Sequence, residues 1–356
     1  MHPLIYFDNG AESRRKDGVL RHKLTLFFVM LLGVLMLAAC GEDSQEDVLQ
    51  NLNDKWNDVK GYELDATMEI KTGTEPRVYD VNVWHTEPEF YRVKVTQQGE
   101  DVTQMIIRND EGVFVVTPSL RKTYKFQSEW PKQNSQAYLI GALAEDLLAD
   151  DKVTMEEDEK NYIFTAATRN NHKSIMPTQK IVVDKKTMLP TSVSVVNEAQ
   201  EEQMVITFKN IDLGMQHKKS EYAVENFSES KEEETASASA EVPTEFQTYY
   251  PELNWENTKL VDEKAVTEDG TERVILTFEG DKSFTLVQQP VQYGESATLP
   301  VYAPGDPADL GFTIGAITQN SISWERDGVS FFIASNNLTQ EEMVEVAASV
   351  TTGGLK

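Results

Sequence analysis

The chain has 356 residues, enough for about two domains, with 40% hydrophobic and 26% charged residues as in soluble globular proteins. Its 59 acidic residues against 33 basic ones argue against a nucleic-acid partner and against electrostatic docking to anionic headgroups, because both need clustered Lys and Arg. A single cysteine leaves no internal disulfide and no thiolate metal cage.

Residues 24–39, LTLFFVMLLGVLMLAA, are almost wholly apolar. The run is short for a bilayer span, which needs about 20 residues. Arg14, Arg15, Lys16, Arg21 and Lys23 precede it, Ala38 and Ala39 close it, and polar chain follows. That order is the one found in secretory signals; an uncleaved anchor or a buried helix is the alternative. Leu37-Ala38-Ala39-Cys40 resembles the bacterial lipobox. The resemblance implies a lipoprotein signal peptide over 1–39, a diacylglyceryl group on Cys40, and a mature chain held by lipid on the outer face of the cell membrane. Asp8, Glu12 and Asp17 suit a signal poorly, so translation is expected to start near Val19 or Leu20, leaving 1–18 untranslated. Five basic and three acidic residues lie within 1–39, so the mature chain carries 28 against 56, a net −28.

Ser44 is placed to cap a first helix, with Glu46 and Asp47 in its first turn. Val48, Leu52, Trp56 and Val59 form its apolar stripe, and Gly61 ends it. Alternating runs follow at 62–71, 78–85, 90–97, 103–109, 112–117 and 122–126, separated by turn residues, which predicts an antiparallel meander. A helix is expected over 135–149, with Leu139, Leu143 and Leu147 four residues apart. Strand patterns resume at 162–167, 180–184, 191–196 and 203–210. About ten strands thus accompany two helices that must bury their stripes on one sheet face.

From Met215 the pattern fails. The stretch 228–241, SESKEEETASASAE, has no large apolar residue and cannot build a core. We expect an acidic disordered linker over 215–243 that lets a second domain, 244–356, reach away from the first, 40–214. In the second domain 273–278 and 283–288 read as a hairpin, and 315–318, 321–326 and 329–334 as further strands. Asp327-Gly328 suits a type I′ turn. Thr339 and Glu342 form a capping box for a last helix, with Leu338 and Met343 at staple positions.

The order of patterns from Ser44 to Gly214 resembles the LolA/LolB family of lipoprotein carriers. The residues that carry it are Tyr62-Glu63-Leu64-Asp65-Ala66, Trp84 through Arg92, Asn109 through Phe114 with Thr117-Pro118, Ile181 through Asp184, Leu189-Pro190 and Phe208 through Ile211. The resemblance implies a mainly β fold: a half-open antiparallel β-barrel with covering helices and a greasy concave face, joined to a smaller α+β domain. Ile322 through Val329 and Asn337 through Glu342 resemble an uncharacterised lipoprotein domain of spore-forming bacteria, and the combination looks like the sporulation-related YdcC type. Carriers commonly have arginine before the proline that is Pro88 here, where this chain has Glu87, and a tethered protein cannot shuttle between membranes.

Catalytic patterns are missing from the sequence: no HExxH, no GxSxG, no Walker loop and no GxGxxG. No cofactor or metal site is expected, and no enzyme activity. The clusters Asp150-Asp151 and Glu156 through Glu159 lack EF-hand spacing and read as solvated turns. The groove candidates are Tyr79, Val81, Val83, Tyr91, Val93 and Val95, which alternate along two strands. They either line a site for a lipid or apolar peptide or form a sheet face filled by the helices. Two functions follow: a tethered binding module for such a ligand, in sporulation or envelope biogenesis, or a docking partner of a cell-envelope or spore-cortex enzyme with the groove closed.

Overall fold

A computed structural model describes residues 44–57, 59–71, 76–99, 103–126, 136–169, 176–228, 247–253, 255–268, 271–291 and 299–351. The predicted signal, Cys40, Trp130, His172 and the linker beyond 228 lie outside these residues.

The chain enters through α1 (Gln45–Asn57), whose Ser44 Oγ accepts the Asp47 N–H at 3.2 Å. Leu52 and Trp56 are its buried stripe farther along. Trp56 Nε1 donates to the Met188 carbonyl at 2.9 Å, and Lys55 Nζ donates to the Thr187 carbonyl at 2.6 Å.

The predicted meander is present as β1 (Gly61–Ile70), β2 (Arg77–Thr86), β3 (Phe90–Gln97), β4 (Thr103–Asn109), β5 (Gly112–Thr117) and β6 (Lys122–Lys125). After α2 (Ile140–Ala149) come β7 (Thr154–Glu157), β8 (Asn161–Ala167), β9 (Thr178–Asp184), β10 (Leu189–Val196) and β11 (Glu202–Leu213). The expected helix start at 135 moves to Ile140, because Gln136–Leu139 form a turn. Strand β7 was expected to be a turn. It pairs along the sheet edge, where its acidic side chains stay in water.

Register explains which residues share a face. Met68, Ala66, Leu64 and Tyr62 on β1 stand opposite Tyr79, Val81, Val83 and His85 on β2. Val81, Val83 and His85 stand opposite Val95, Val93 and Tyr91 on β3. A two-residue period therefore puts all six groove candidates on one side, here the inner face. Antiparallel pairing of β1 with β11 closes the strand order without closing a barrel.

After β11 the chain turns back over the outer face. Tyr222 is buried there, its hydroxyl 2.9 Å from Thr86 Oγ1 and its carbonyl accepting from Asn109 Nδ2 at 3.0 Å. Short helix α3 (Glu225–Ser228) follows. Val224 and Phe227 cover an outer cluster of Met105, Ile107, Phe114 and Val116. This corrects the linker expected over 215–243: its first part, to 228, is a packed strap. Hydropathy missed it because one apolar residue every few positions suffices to cover a small outer cluster. Trp84, between core and rim in the sequence, lies under this strap, stacked on His217 at 3.8 Å with the Arg92 guanidinium 4.1 Å from its ring.

The C-terminal half builds β12 (Tyr250–Pro251), β13 (Thr258–Glu268), β14 (Thr271–Gly280), β15 (Phe284–Pro290), β16 (Val301–Tyr302), β17 (Asp306–Asp309), β18 (Ile314–Ile317), β19 (Ser321–Arg326), β20 (Val329–Ala334), α4 (Gln340–Ser349) and β21 (Val350–Thr351). Seven of these strands form one sheet in the order β13-β14-β15-β20-β19-β18-β17. Leu276, Leu286, Ile322, Phe331, Ile333 and Met343 are fully buried in its core. The capping box at Thr339 and Glu342 is formed on both sides. Asp327 and Gly328 have φ of 52° and 72°, as a type I′ turn requires.

The halves meet. Strand β16 joins the first sheet parallel to β6, making it twelve strands wide with edges at β16 and β7. Lys122 Nζ and Tyr124 hydroxyl both reach Glu325 Oε1, at 2.6 and 2.9 Å. In this structure the second sheet therefore rests on the first rather than reaching away from it.

Candidate functional site

The inner face is apolar where strands present Val, Ile and aromatic side chains, and two sets of elements cover it. Helix α2 covers the β8 side. Its Asp146 carboxylate has no exposed side-chain surface and accepts from Arg169 Nε and, at 2.6 Å, from Gln179 Nε2. Leu143 and Leu147 are buried beneath the helix. The C-terminal half covers the other side, where Thr313 Oγ1 donates to Gln104 Oε1 at 2.5 Å and Phe312 lies under the Arg77 guanidinium at 5.4 Å.

Beside α2, and clear of the C-terminal half, a cavity of about 340 Å³ stays open. Its floor is Trp56, Tyr62, Tyr91, Val93, Ile106 and Leu139. Its rim is charged in both signs: Glu87, Glu89, Arg108, Glu145 and Arg169. Arg108 pairs with Glu89, and Arg169 Nη2 lies 3.1 Å from Glu145 Oε2. His85 also lines the cavity. Burial holds its imidazole below the usual range, against the opposing pull of the Phe90 carbonyl 3.1 Å away. It is stacked on Tyr91 at 4.3 Å. Burial pushes the Tyr91 phenol up to about 12, so at neutral pH both floor groups are uncharged.

The six groove candidates separate. Tyr91 and Val93 line the cavity. Tyr79 and Val95 line a gap of about 20 Å³ beneath Phe312 and Thr313. Val81 and Val83 line neither, at 2% and 0% exposure. Alternation showed that the six share a face but carried no information on what lies above it. Arg108 and Arg169 were not among the candidates. Arg108 was accessible to the same argument, since the period that places Ile106 inward on β4 also places Arg108 inward, opposite Tyr91. Arg169 had no such signal, because it follows β8 and is positioned by α2.

Acidic clusters act in turns: Asp150 Oδ1 and Oδ2 accept from the Lys152 and Ala167 N–H, and Asp158 Oδ1 from the Lys160 and Asn161 N–H. Among the described residues no group of three His, Cys, Asp or Glu could hold a metal ion.

One carboxyl next to the cavity is costly. Asp309 is buried, and burial pushes it up to about 6, against the pull of the Gly311 N–H and of Gln136. A folded-state value above the unfolded one means that ionisation opposes folding. The penalty is absent below about pH 4 and grows as pH rises to about 6. At about 1.4 kcal/mol per unit it reaches on the order of 3 kcal/mol. Asp309→Asn is therefore expected to unfold at the same temperature as wild type at pH 4 and at a higher one at pH 7.5. A difference independent of pH, seen by thermal melts across this window, would refute it.

A model of the YdcC-like sporulation proteins matches residues 21–222. Sporulation protein YdcC of Bacillus subtilis (strain 168) is 37% identical over 334 residues, covering 93% of this chain and 97% of that protein. The solved MucA/MucB complex of Pseudomonas aeruginosa aligns at 13% identity and TM-score 0.34, over 87% of this chain and 99% of that one. A LolA superfamily protein of Nitrosomonas europaea aligns at 9% identity and TM-score 0.31, over 52% of this chain and 100% of that one.

Proposed function

The chain belongs to the YdcC-like sporulation protein family, and from that premise we propose that it serves sporulation as a lipid-anchored, extracytoplasmic binding protein without catalytic chemistry. The observation that carries the binding reading is the cavity itself. Its volume lies at the lower end of small-molecule sites, about 300–1,000 Å³. An aromatic and aliphatic floor under a rim of paired charges suits one apolar chain with a polar or ionic head. An acyl chain fits that description, as do one or two apolar side chains of an extended peptide. The anchor reading rests on residues 24–40, as argued from their order.

A second reading, a docking partner of a cell-envelope or spore-cortex enzyme, draws on a different observation. Most of the predicted groove is covered, with Val81 and Val83 fully buried. Native mass spectrometry of the mature protein, extracted gently from its own cells, separates the two. A co-purifying lipid mass is expected, and Val93→Trp, which fills the cavity floor, should reduce it at least tenfold while the far-ultraviolet circular dichroism stays unchanged. A stoichiometric protein partner with no lipid mass would favour docking and sink the binding reading.

A further inference from the structure

The geometry points to a longer binding face that the chain's own 303–313 segment occupies, so that an acyl chain exceeding the cavity binds only when this segment withdraws. The inference rests on the reading that the cavity takes such a chain.

Three observations support it. First, residues 311–313 of the segment sit on the inner face as a ligand would, while Asp306–Asp309 pair with β18 in the second sheet. Ala308, Leu310 and Phe312 are buried at 1%, 2% and 6% exposure. The Ala303 N–H donates to the Lys125 carbonyl at 2.9 Å along the β6 edge, and from there the chain crosses inward: Thr313 reaches Gln104, and a Cβ on Gly311 would come within 2.8 Å of Met204 Cε. The contacts thus fall on strands across the sheet.

Second, the covered face continues the cavity floor. Val93 on β3 and Ile106 on β4 line the cavity. The next inward positions on the same strands, Val95 and Gln104, line the gap under Phe312 and Thr313. Gln136, just before α2, lines the cavity as well. Removing 303–313 would join the two spaces.

Third, the seat is poorly satisfied. Arg326 is 7% exposed, yet its Nη1 has no hydrogen-bond partner, and the same holds for Arg77 Nη2, Glu325 Oε2 and Asp327 Oδ1 around the segment. Arg77 and Arg326 lie over the same Phe312 ring, at 5.4 and 5.0 Å, so two like charges share one neighbour. Burial also holds the Asp309 carboxyl up. Each buried polar group without a partner weakens the contact. Segments that move are drawn from such low-stability contacts.

The test locks the segment reversibly. Cys40 is the only native cysteine and carries lipid in the proposed mature form. Gln104→Cys with Thr313→Cys therefore adds the only two free thiols, and closure of a bridge between them is read by mass. The mature protein is incubated with octanoate, short enough for the cavity alone, or with palmitate, and adducts are counted by native mass spectrometry. Oxidation should lower the palmitate adduct at least tenfold and leave octanoate unchanged, and reduction should restore it. A loosened seat, Phe312→Ala with Thr313→Val, should raise palmitate binding severalfold without any disulfide. Palmitate binding that neither the lock nor the loosened seat alters overturns the inference and leaves the cavity reading standing. No adduct of either acid in any form overturns both.

Discussion

Cys40→Ala is expected to lose lipid labelling completely. A cell fed an alkyne analogue of palmitate should label the wild-type band and leave the variant blank, because the chain has no other thiol. The consequence for membrane attachment follows from magnitudes. Each buried CH2 contributes about 0.8 kcal/mol, and stable anchoring takes more than one chain. A body cleaved before Cys40 would carry net −28, so it would be repelled by anionic headgroups and supply no electrostatic substitute. Without the lipid, a processed chain should leave the membrane fraction. A variant that stays lipid-labelled would end the proposal that Cys40 is the anchor.

Arg169→Met is expected to destabilise the fold by roughly 3 kcal/mol, near the lower bound for breaking a buried pair because the guanidinium is partly in water. The loss comes from Asp146, whose side chain is wholly buried while that of Arg169 is 30% exposed. Removing the cation leaves a charge inside the protein that still accepts from the neutral Gln179 amide at 2.6 Å. The double variant Asp146→Asn/Arg169→Met should recover more than half of the loss, since the charge is gone along with its partner. Urea unfolding measures both. If the double variant is as unstable as the single one, the effect comes from lost Arg169 packing instead. Because α2 roofs the cavity and Arg169 stands at its rim, the single variant should also bind ligand more weakly.

Much of the architecture was legible because strands announce their faces. The alternation Tyr79-Val81-Val83 and Tyr91-Val93-Val95 placed six side chains together, and the registers of β2 and β3 agree. The mainly β class, the antiparallel meander and the YdcC-type family resemblance were readable for the same reason. Strand β13 was not read. It is an edge strand with Val261 and Val266 both largely exposed, so no buried face imposed a clean period on it. Strands β16 and β17 were too short to carry any pattern.

The site divides along the same line. Sequence alone supplied the residue order around Cys40 on which the anchor proposal rests, the missing catalytic motifs, and which residues share the inner face. Those are local properties: the order of charged, apolar and small residues, or a period of two. Only the tertiary structure decided which part of that face stays open. It brought Arg108 and Arg169 to one rim from positions far apart in the chain. It laid 303–313, some 200 residues downstream of β3, over Tyr79 and Val95. It also folded 215–228 into a strap. Covering a surface depends on contacts between distant segments, and no window of sequence contains both partners.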